Sequence, residues 1–133
     1  MVISNLKAVL PYNVKKVWDV VTDIGNYKWR SDIDKIEIID KDKFVEYTKN
    51  NYKTDFYVKE KIQYKCWKFE MENDNLSGQW VGLFIEKEDK TIIDFTENIV
   101  RKKPVLKILL KLYLKKQQKL YLRDLKKELR KRE

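Results

Sequence analysis

The stretch from residue 104 to about residue 131 constrains this chain more than any other. It contains no Gly, and its only Pro stands first, where a helix tolerates one. Strong helix formers, Leu, Lys, Gln and Arg, fill most of the rest. Read in steps of four, the stretch falls into columns. Val105, Leu109, Tyr113, Gln117, Tyr121, Leu125 and Leu129 form one, and Leu106, Leu110, Leu114, Gln118 and Leu122 the next. Lys103, Lys107, Lys111, Lys115, Lys119, Arg123, Lys127 and Lys131 form a third. The pattern predicts an amphipathic helix of roughly 40 Å, at about 1.5 Å per residue. Such a helix needs an apolar surface to lie on.

The preceding chain is able to supply one. From Ile33 the apolar period is two, and strands are predicted over roughly 33–40, 43–50, 53–63, 65–73, 78–87 and 91–101, after a first strand at 2–10. Short turns separate them at Lys41-Asp42, Asn50-Asn51, Asn73-Asp74-Asn75 and Glu88-Asp89-Lys90. Trp67, Phe69 and Met71 alternate with Lys68, Glu70 and Glu72, and Phe56 and Val58 with Asp55, Tyr57 and Lys59. Ile93, Phe95 and Ile99 share a face with Glu97, against Asp94, Thr96 and Asn98. One apolar and one polar face suit an antiparallel sheet covered on one side. In 78–87 both faces are apolar. Trp80 and Phe84 are assigned inward because Gly82 between them leaves room for large neighbours or a ligand. Between the first strand and the meander, Pro11 stops the strand and Asn13 is a suitable N-cap. Val14, Val17, Trp18 and Val21 then form a helical stripe in which Trp18 is a packing anchor. A second short helical turn is predicted at 26–31, where Tyr27 and Trp29 either close a pocket mouth or plug the sheet edge.

Composition excludes several kinds of chemistry. With 133 residues the chain is read as one domain, 1–133. It has no His, which removes His-based triads, His general bases and His-ligated metal sites. Its one cysteine, Cys66, forms no internal disulfide and no CxxC site, and reads as a structural thiol. Three glycines leave no phosphate-cradling loop. No cofactor or metal is expected. No apolar run approaches membrane-spanning length and the N-terminus has no signal-like block, so a cytoplasmic protein is expected. The net charge of +9 is unevenly placed: residues 101–133 hold 14 Lys/Arg against three Asp/Glu, whereas residues 1–100 hold 16 against 18. An anionic partner would exploit that, a membrane surface rather than nucleic acid. A solvated face is the favoured reading, because a column stepped by four drifts about 40° per step and spirals round the helix.

The order strand, two short helices, six-stranded meander and long terminal helix resembles the START-like superfamily, which includes the birch-pollen-allergen type and the polyketide cyclase/dehydrase (SRPBCC) proteins. The resemblance covers nearly the whole chain. It is carried by Pro11-Tyr12-Asn13-Val14-Lys15-Lys16-Val17-Trp18, Asp23-Ile24-Gly25-Asn26-Tyr27-Lys28-Trp29, Ser77-Gly78-Gln79-Trp80-Val81-Gly82 and Thr91-Ile92-Ile93-Asp94-Phe95-Thr96-Glu97. These motifs identify a fold and no chemistry. The resemblance implies an α+β helix-grip architecture: a curved antiparallel sheet of about seven strands gripping the terminal helix, with an apolar cavity between them. Family members use that cavity for lipids, sterols, polyketides or hormones.

Phe56, Trp67, Phe69, Trp80, Phe84, Phe95, Leu110 and Tyr113 are the expected ligand-binding residues. Glu97 is the one candidate for proton transfer, since a carboxylate in an apolar cavity would have a raised pKa. The plainer reading pairs it with a Lys or Arg of the terminal helix. Arg30 is expected to pair with Asp32 or Asp34, or otherwise to meet an acidic ligand. Tyr47, Tyr113 and Tyr121 offer hydroxyls, and Gln117 and Gln118 interrupt the apolar columns, either for a polar ligand group or where the helix leaves the sheet. The resulting expectation is a binder of a small apolar or amphipathic molecule, monomeric or weakly dimeric. The alternatives are a cyclase- or dehydratase-like enzyme using Glu97, and anionic-surface binding through the basic helix. If the helix covers the sheet, deleting residues 104–133 should leave an insoluble or molten chain. A soluble, well-folded fragment of residues 1–103 would make the helix a mere appendage.

Overall fold

The computed structural model describes all 133 residues. The elements are β1 (Val2–Leu10), α1 (Val14–Thr22), β2 (Ile33–Asp40), β3 (Lys43–Thr48), β4 (Lys53–Ile62), β5 (Cys66–Glu72), β6 (Leu76–Lys87), β7 (Lys90–Arg101) and α2 (Lys107–Lys131). Six consecutive strands pair as an antiparallel meander, and β1 adds to β7, giving the order β1-β7-β6-β5-β4-β3-β2. The chain leaves β1 at one edge and must re-enter at the other. α1 begins that crossing, with the Asn13 side chain accepting from the Lys16 amide at 2.9 Å. No helix is long and apolar enough to cross a membrane.

Alternation places the large side chains as the sequence predicts. Trp67, Phe69, Trp80, Phe84, Ile93, Phe95 and Ile99 are all buried on the inner face. Gly82 serves its neighbours. A Cβ there would come within 2.3 Å of the Trp80 ring and 3.3 Å of Phe95, so the space it leaves is already filled by aromatics. Trp18 fills the anchor role, edge-on to Phe84 at 4.9 Å and to Tyr64 at 6.2 Å between ring centres.

Two expectations need correction. Residues 26–31 form turns, with no second helix. Their backbone is held by the Arg30 amide donating to the Tyr27 carbonyl and by the Ser31 amide donating to Asp124, which leaves no helical ladder. The terminal helix starts at Lys107, three residues later than Pro104 suggests. Arg101 donates to the Val105 carbonyl and the Lys102 amide to that of Asn75, holding the intervening chain off the helical path. No side chain caps this end, and the first turn carries no acid.

α2 is attached unevenly. Its C-terminal half buries Leu125 and Leu129 in the main core, together with Val14, Val17, Trp18, Val20 and Val21 of α1 and the aromatics of the sheet. Asp124, also buried, accepts from both the Ser31 amide and the Ser31 hydroxyl at 2.8 Å. In the middle, Gln118 and Ser4 of β1 bond reciprocally. The Ser4 hydroxyl donates to Gln118 Oε1 at 2.8 Å, and Gln118 Nε2 donates to the Ser4 carbonyl at 3.1 Å. Further toward the N-terminus only Leu110 and Leu114 are buried, in a separate small cluster with Val2 and Ile99. The attachment predicts a steep contrast. Leu129→Ala should cost about 2–5 kcal/mol, and Leu112→Ala, at an exposed position, no more than about 0.5 kcal/mol. Urea unfolding of both variants measures this; equal costs would mean that the N-terminal half of α2 is packed as tightly as the other.

Candidate functional site

Between the two apolar clusters lies a cavity of about 930 Å³, bounded by the inner face of the sheet, the turns after α1 and the underside of α2. That volume falls within the range of small-molecule sites. Of the eight side chains expected to bind a ligand, Phe56, Trp67, Phe69, Trp80, Phe95, Leu110 and Tyr113 line the space. Phe84 does not: it lies behind Phe95, at 5.5 Å between ring centres, where Trp18 covers it. Strand twist and α1 explain the difference. Phe84 shares the inner face but sits toward the end of β6 on which α1 rests. The wall itself is a continuous aromatic layer, with Phe44 stacked on Phe56 at 4.9 Å, Phe69 on Trp80 at 4.8 Å, and Trp80 tilted against Phe95 at 4.8 Å.

The polar side is built by residues distant in sequence. Arg30, in the turns after α1, reaches across to β3. Its Nη1 donates to Glu46 Oε2 at 2.8 Å, and Nη2 lies 3.6 Å from Asp32. The guanidinium also stands over the Tyr121 ring at 5.1 Å. Burial opposes its charge, but Glu46 and Asp32 more than offset that and raise its pKa. Of the two acids anticipated near it, Asp34 makes no ion pair with it. Tyr121 packs edge-on to Trp29 at 5.3 Å, and both line the cavity with Tyr27. Burial raises the Tyr121 phenol well above its ordinary range; Arg30 opposes that, and Glu46 and Asp32 add to it. Tyr47 lies outside the cavity, under the Lys35 ammonium.

Glu97 faces this cluster from β7. It makes no ion pair with the helix lysines, contrary to the plainer expectation. Burial pushes its carboxyl up to about 7, Glu46 pushes further, and Arg30 and Lys115 pull back. The half-buried Glu97 carboxylate accepts no hydrogen bond from another side chain, and the Arg30 Nε and Trp67 Nε1 hydrogens, packed out of reach of the open space, have no acceptor. Gln117 and Gln118 both line the space, and Gln118 is engaged by Ser4. Sequence reasoning missed Glu46 and Asp124. Each alternates or spaces as an ordinary surface acid, and its partner lies 16 or 93 residues away.

No protein-family model matches the sequence, and no curated protein matches it. Solved structures do. A START superfamily protein from Mycobacterium smegmatis superposes with a TM-score of 0.88 at 11% identity, over 98% of this chain and 99% of that one. A conserved protein from Geobacillus kaustophilus gives 0.84 at 16% identity, over 98% and 96%. The di-domain ARO/CYC BexL from the BE-7585A biosynthetic pathway gives 0.79 at 9% identity, over 95% of this chain and 45% of that one. These likenesses establish the START-like helix-grip fold. At such identities they do not carry over any activity.

The raised pKa of Glu97 makes stability depend on pH. Below about 4.5 the carboxyl is protonated in both folded and unfolded chains, and the contribution from its raised pKa is fully present. As the pH rises toward about 7 the unfolded chain releases the proton first, so this contribution is progressively lost. Glu97→Gln should flatten that decline, as read by thermal unfolding between about pH 5 and about pH 8. A profile identical to the unsubstituted protein's would mean that Glu97 is solvated and outside the cluster.

Proposed function

We propose that this protein binds a small amphipathic molecule, with an apolar body and a polar group at one side, in the cavity between sheet and α2. The observation that carries this reading is the cavity itself: about 930 Å³, walled by aromatics, with the Glu97 carboxyl and the Gln117 amide on its lining. The body would be held by burial, at about 25 cal/mol per Å² of apolar surface. The polar group would be fixed by a hydroxyl or amine meeting Glu97 and by a carbonyl or hydroxyl meeting the Gln117 amide. That combination suits hydroxylated or carbonyl-bearing ring systems and lipid-like molecules better than pure hydrocarbons.

A second reading has one observation in its favour. A carboxyl that burial raises to about 7 on the wall of an aromatic cavity is suited to proton transfer, as a cyclase- or dehydratase-like reaction requires. The cavity by itself carries the binding reading, which remains the principal one.

Native mass spectrometry of the purified protein should reveal a co-purifying small molecule. A fluorescent apolar probe then tests the cavity directly. Met71 lines it, and Met71→Trp should fill part of the space and weaken uptake at least tenfold while the protein stays folded. Glu97→Gln should leave the affinity for a neutral probe within about twofold. Undiminished uptake by Met71→Trp would place the probe elsewhere and remove the basis of the proposal.

A further inference from the structure

The first turns of α2 carry a combination absent from the rest of the molecule. Leu106, Ile108 and Leu112 leave 67%, 68% and 62% of their surface exposed, and Leu109 and Tyr113 more than half. At about 100° per residue, these five side chains span an arc of roughly 160°, from the outer side of the helix round to the cavity side. On the same count Lys116 and Lys119 fall within that arc and Lys115 stands about 20° beyond its Ile108 edge, whereas Lys107 lies on the far side of the helix. Residues 101–119 hold eight Lys/Arg and no Asp/Glu. Lys102 is paired with Glu72 at 3.0 Å, Arg101 with the Val105 carbonyl and Lys115 with the Asn5 carbonyl. Lys103, Lys107, Lys111, Lys116 and Lys119 have no ion-pair partner. The acids of α2, Asp124 and Glu128, belong to its other half.

We infer that this end of α2 is a docking face for an anionic lipid bilayer, with Leu106, Ile108, Leu109 and Leu112 entering the acyl boundary and the lysines meeting the headgroups. The chemistry selects this partner over two others. A second copy of the chain across a two-fold axis would set the same cations against one another, with no acid in the segment to relieve them. Nucleic acid would use the lysines but would leave four aliphatic side chains with nothing apolar to meet. A bilayer interface satisfies both halves of the pattern, as with other amphipathic helices that lie in the headgroup plane. The uncapped N-terminus of the helix adds the positive end of its dipole on the same side.

The position links this face to the cavity. Val105, Leu109 and Tyr113 line the cavity while remaining largely exposed, so the cavity opens beside the proposed docking face. On the reading of the cavity as a ligand site, a bound amphipathic molecule would pass directly between protein and bilayer, without crossing water.

Co-sedimentation of the full chain with extruded vesicles tests this, using phosphatidylcholine alone or mixed with phosphatidylglycerol. The protein should bind the anionic vesicles, bind the neutral ones much more weakly, and lose affinity as salt is added. Ile108→Ser combined with Leu112→Ser should reduce binding at least tenfold, and Lys116→Gln combined with Lys119→Gln by roughly tenfold. None of these four side chains lines the cavity, so both variants should fold and take up an apolar probe normally in vesicle-free buffer. Vesicle binding without any probe uptake would support the docking face and remove the cavity reading alone. Failure of the unsubstituted protein to bind anionic vesicles would overturn the inference, as would full binding by the Ile108/Leu112 variant. A dimer in sedimentation velocity that this variant dissolves would assign the face to a second copy instead. DNA binding lost only in the lysine variant, without vesicle binding, would assign it to nucleic acid.

Discussion

A single helix cannot cover the sheet that this chain builds. Seven strands at about 4.8 Å spacing span nearly 30 Å, whereas a helix with its side chains is about 10–12 Å across. The inner face is nonetheless apolar across β3 to β7, because Phe44, Phe56, Trp67, Phe69, Trp80 and Phe95 all point the same way. α1 and the C-terminal half of α2 close one end through Trp18, Leu125 and Leu129. The other end has only Leu110 and Leu114 to offer. The sheet therefore curls round a hollow. The hollow is open beside Val105, Leu109 and Tyr113, so solvent reaches its aromatic wall. Such a space has to be filled, by water or by a ligand, and its aromatic wall favours the ligand.

Arg30 organises the polar side of that hollow. It comes from a turn, yet three contacts fix it: Glu46 on β3, Asp32 in the same turn and the Tyr121 ring on α2. Asp124 secures the next residue, Ser31, by two hydrogen bonds, so the turn is tied to the helix at adjacent positions. Glu46 takes up much of the Arg30 charge. Glu97, also near Glu46, is left undercompensated, and burial raises its pKa to about 7. Burial first, then the nearby Glu46, thus raise a carboxyl beside an aromatic wall, while Arg30, engaged by Glu46 and Asp32, only partly opposes them. This arrangement is what keeps the enzymatic reading alive next to simple binding.

Much of this was legible in the sequence, and the limits are physical. Period-two alternation located every strand, and it oriented Trp80 and Phe84 correctly even in a segment apolar on both faces, because Gly82 marks where two rings need space. The stripe Val14, Val17, Trp18 and Val21 identified α1. Residues 26–31 misled because their composition allows a helical turn, whereas tertiary hydrogen bonds to Asp124 and Glu46 decide their path. Phe84 was assigned to the cavity because alternation gives the face of a strand and not the position along it. Arg30 was given local partners because proximity in sequence is the only proximity a sequence displays.

The basic helix shows the same limit most clearly. Its lysine column spirals, and considered alone it favours a solvated face. What changes the assessment is where the sheet stops supporting the helix. Beyond Gln118 and Ser4, burial falls to two leucines, so side chains that the periodicity assigns to a core have no core to enter. Leu109 and Tyr113 belong to the same column as Leu125 and Leu129, yet the latter pair is fully buried and the former largely exposed. The column thus changes character midway, from packing residue to surface residue, at the point where acids vanish from the helix. An apolar face without a core beneath it is costly in water. Its coincidence with an unrelieved positive charge, beside the cavity mouth, gives the N-terminal half of α2 a chemistry that the C-terminal half does not share.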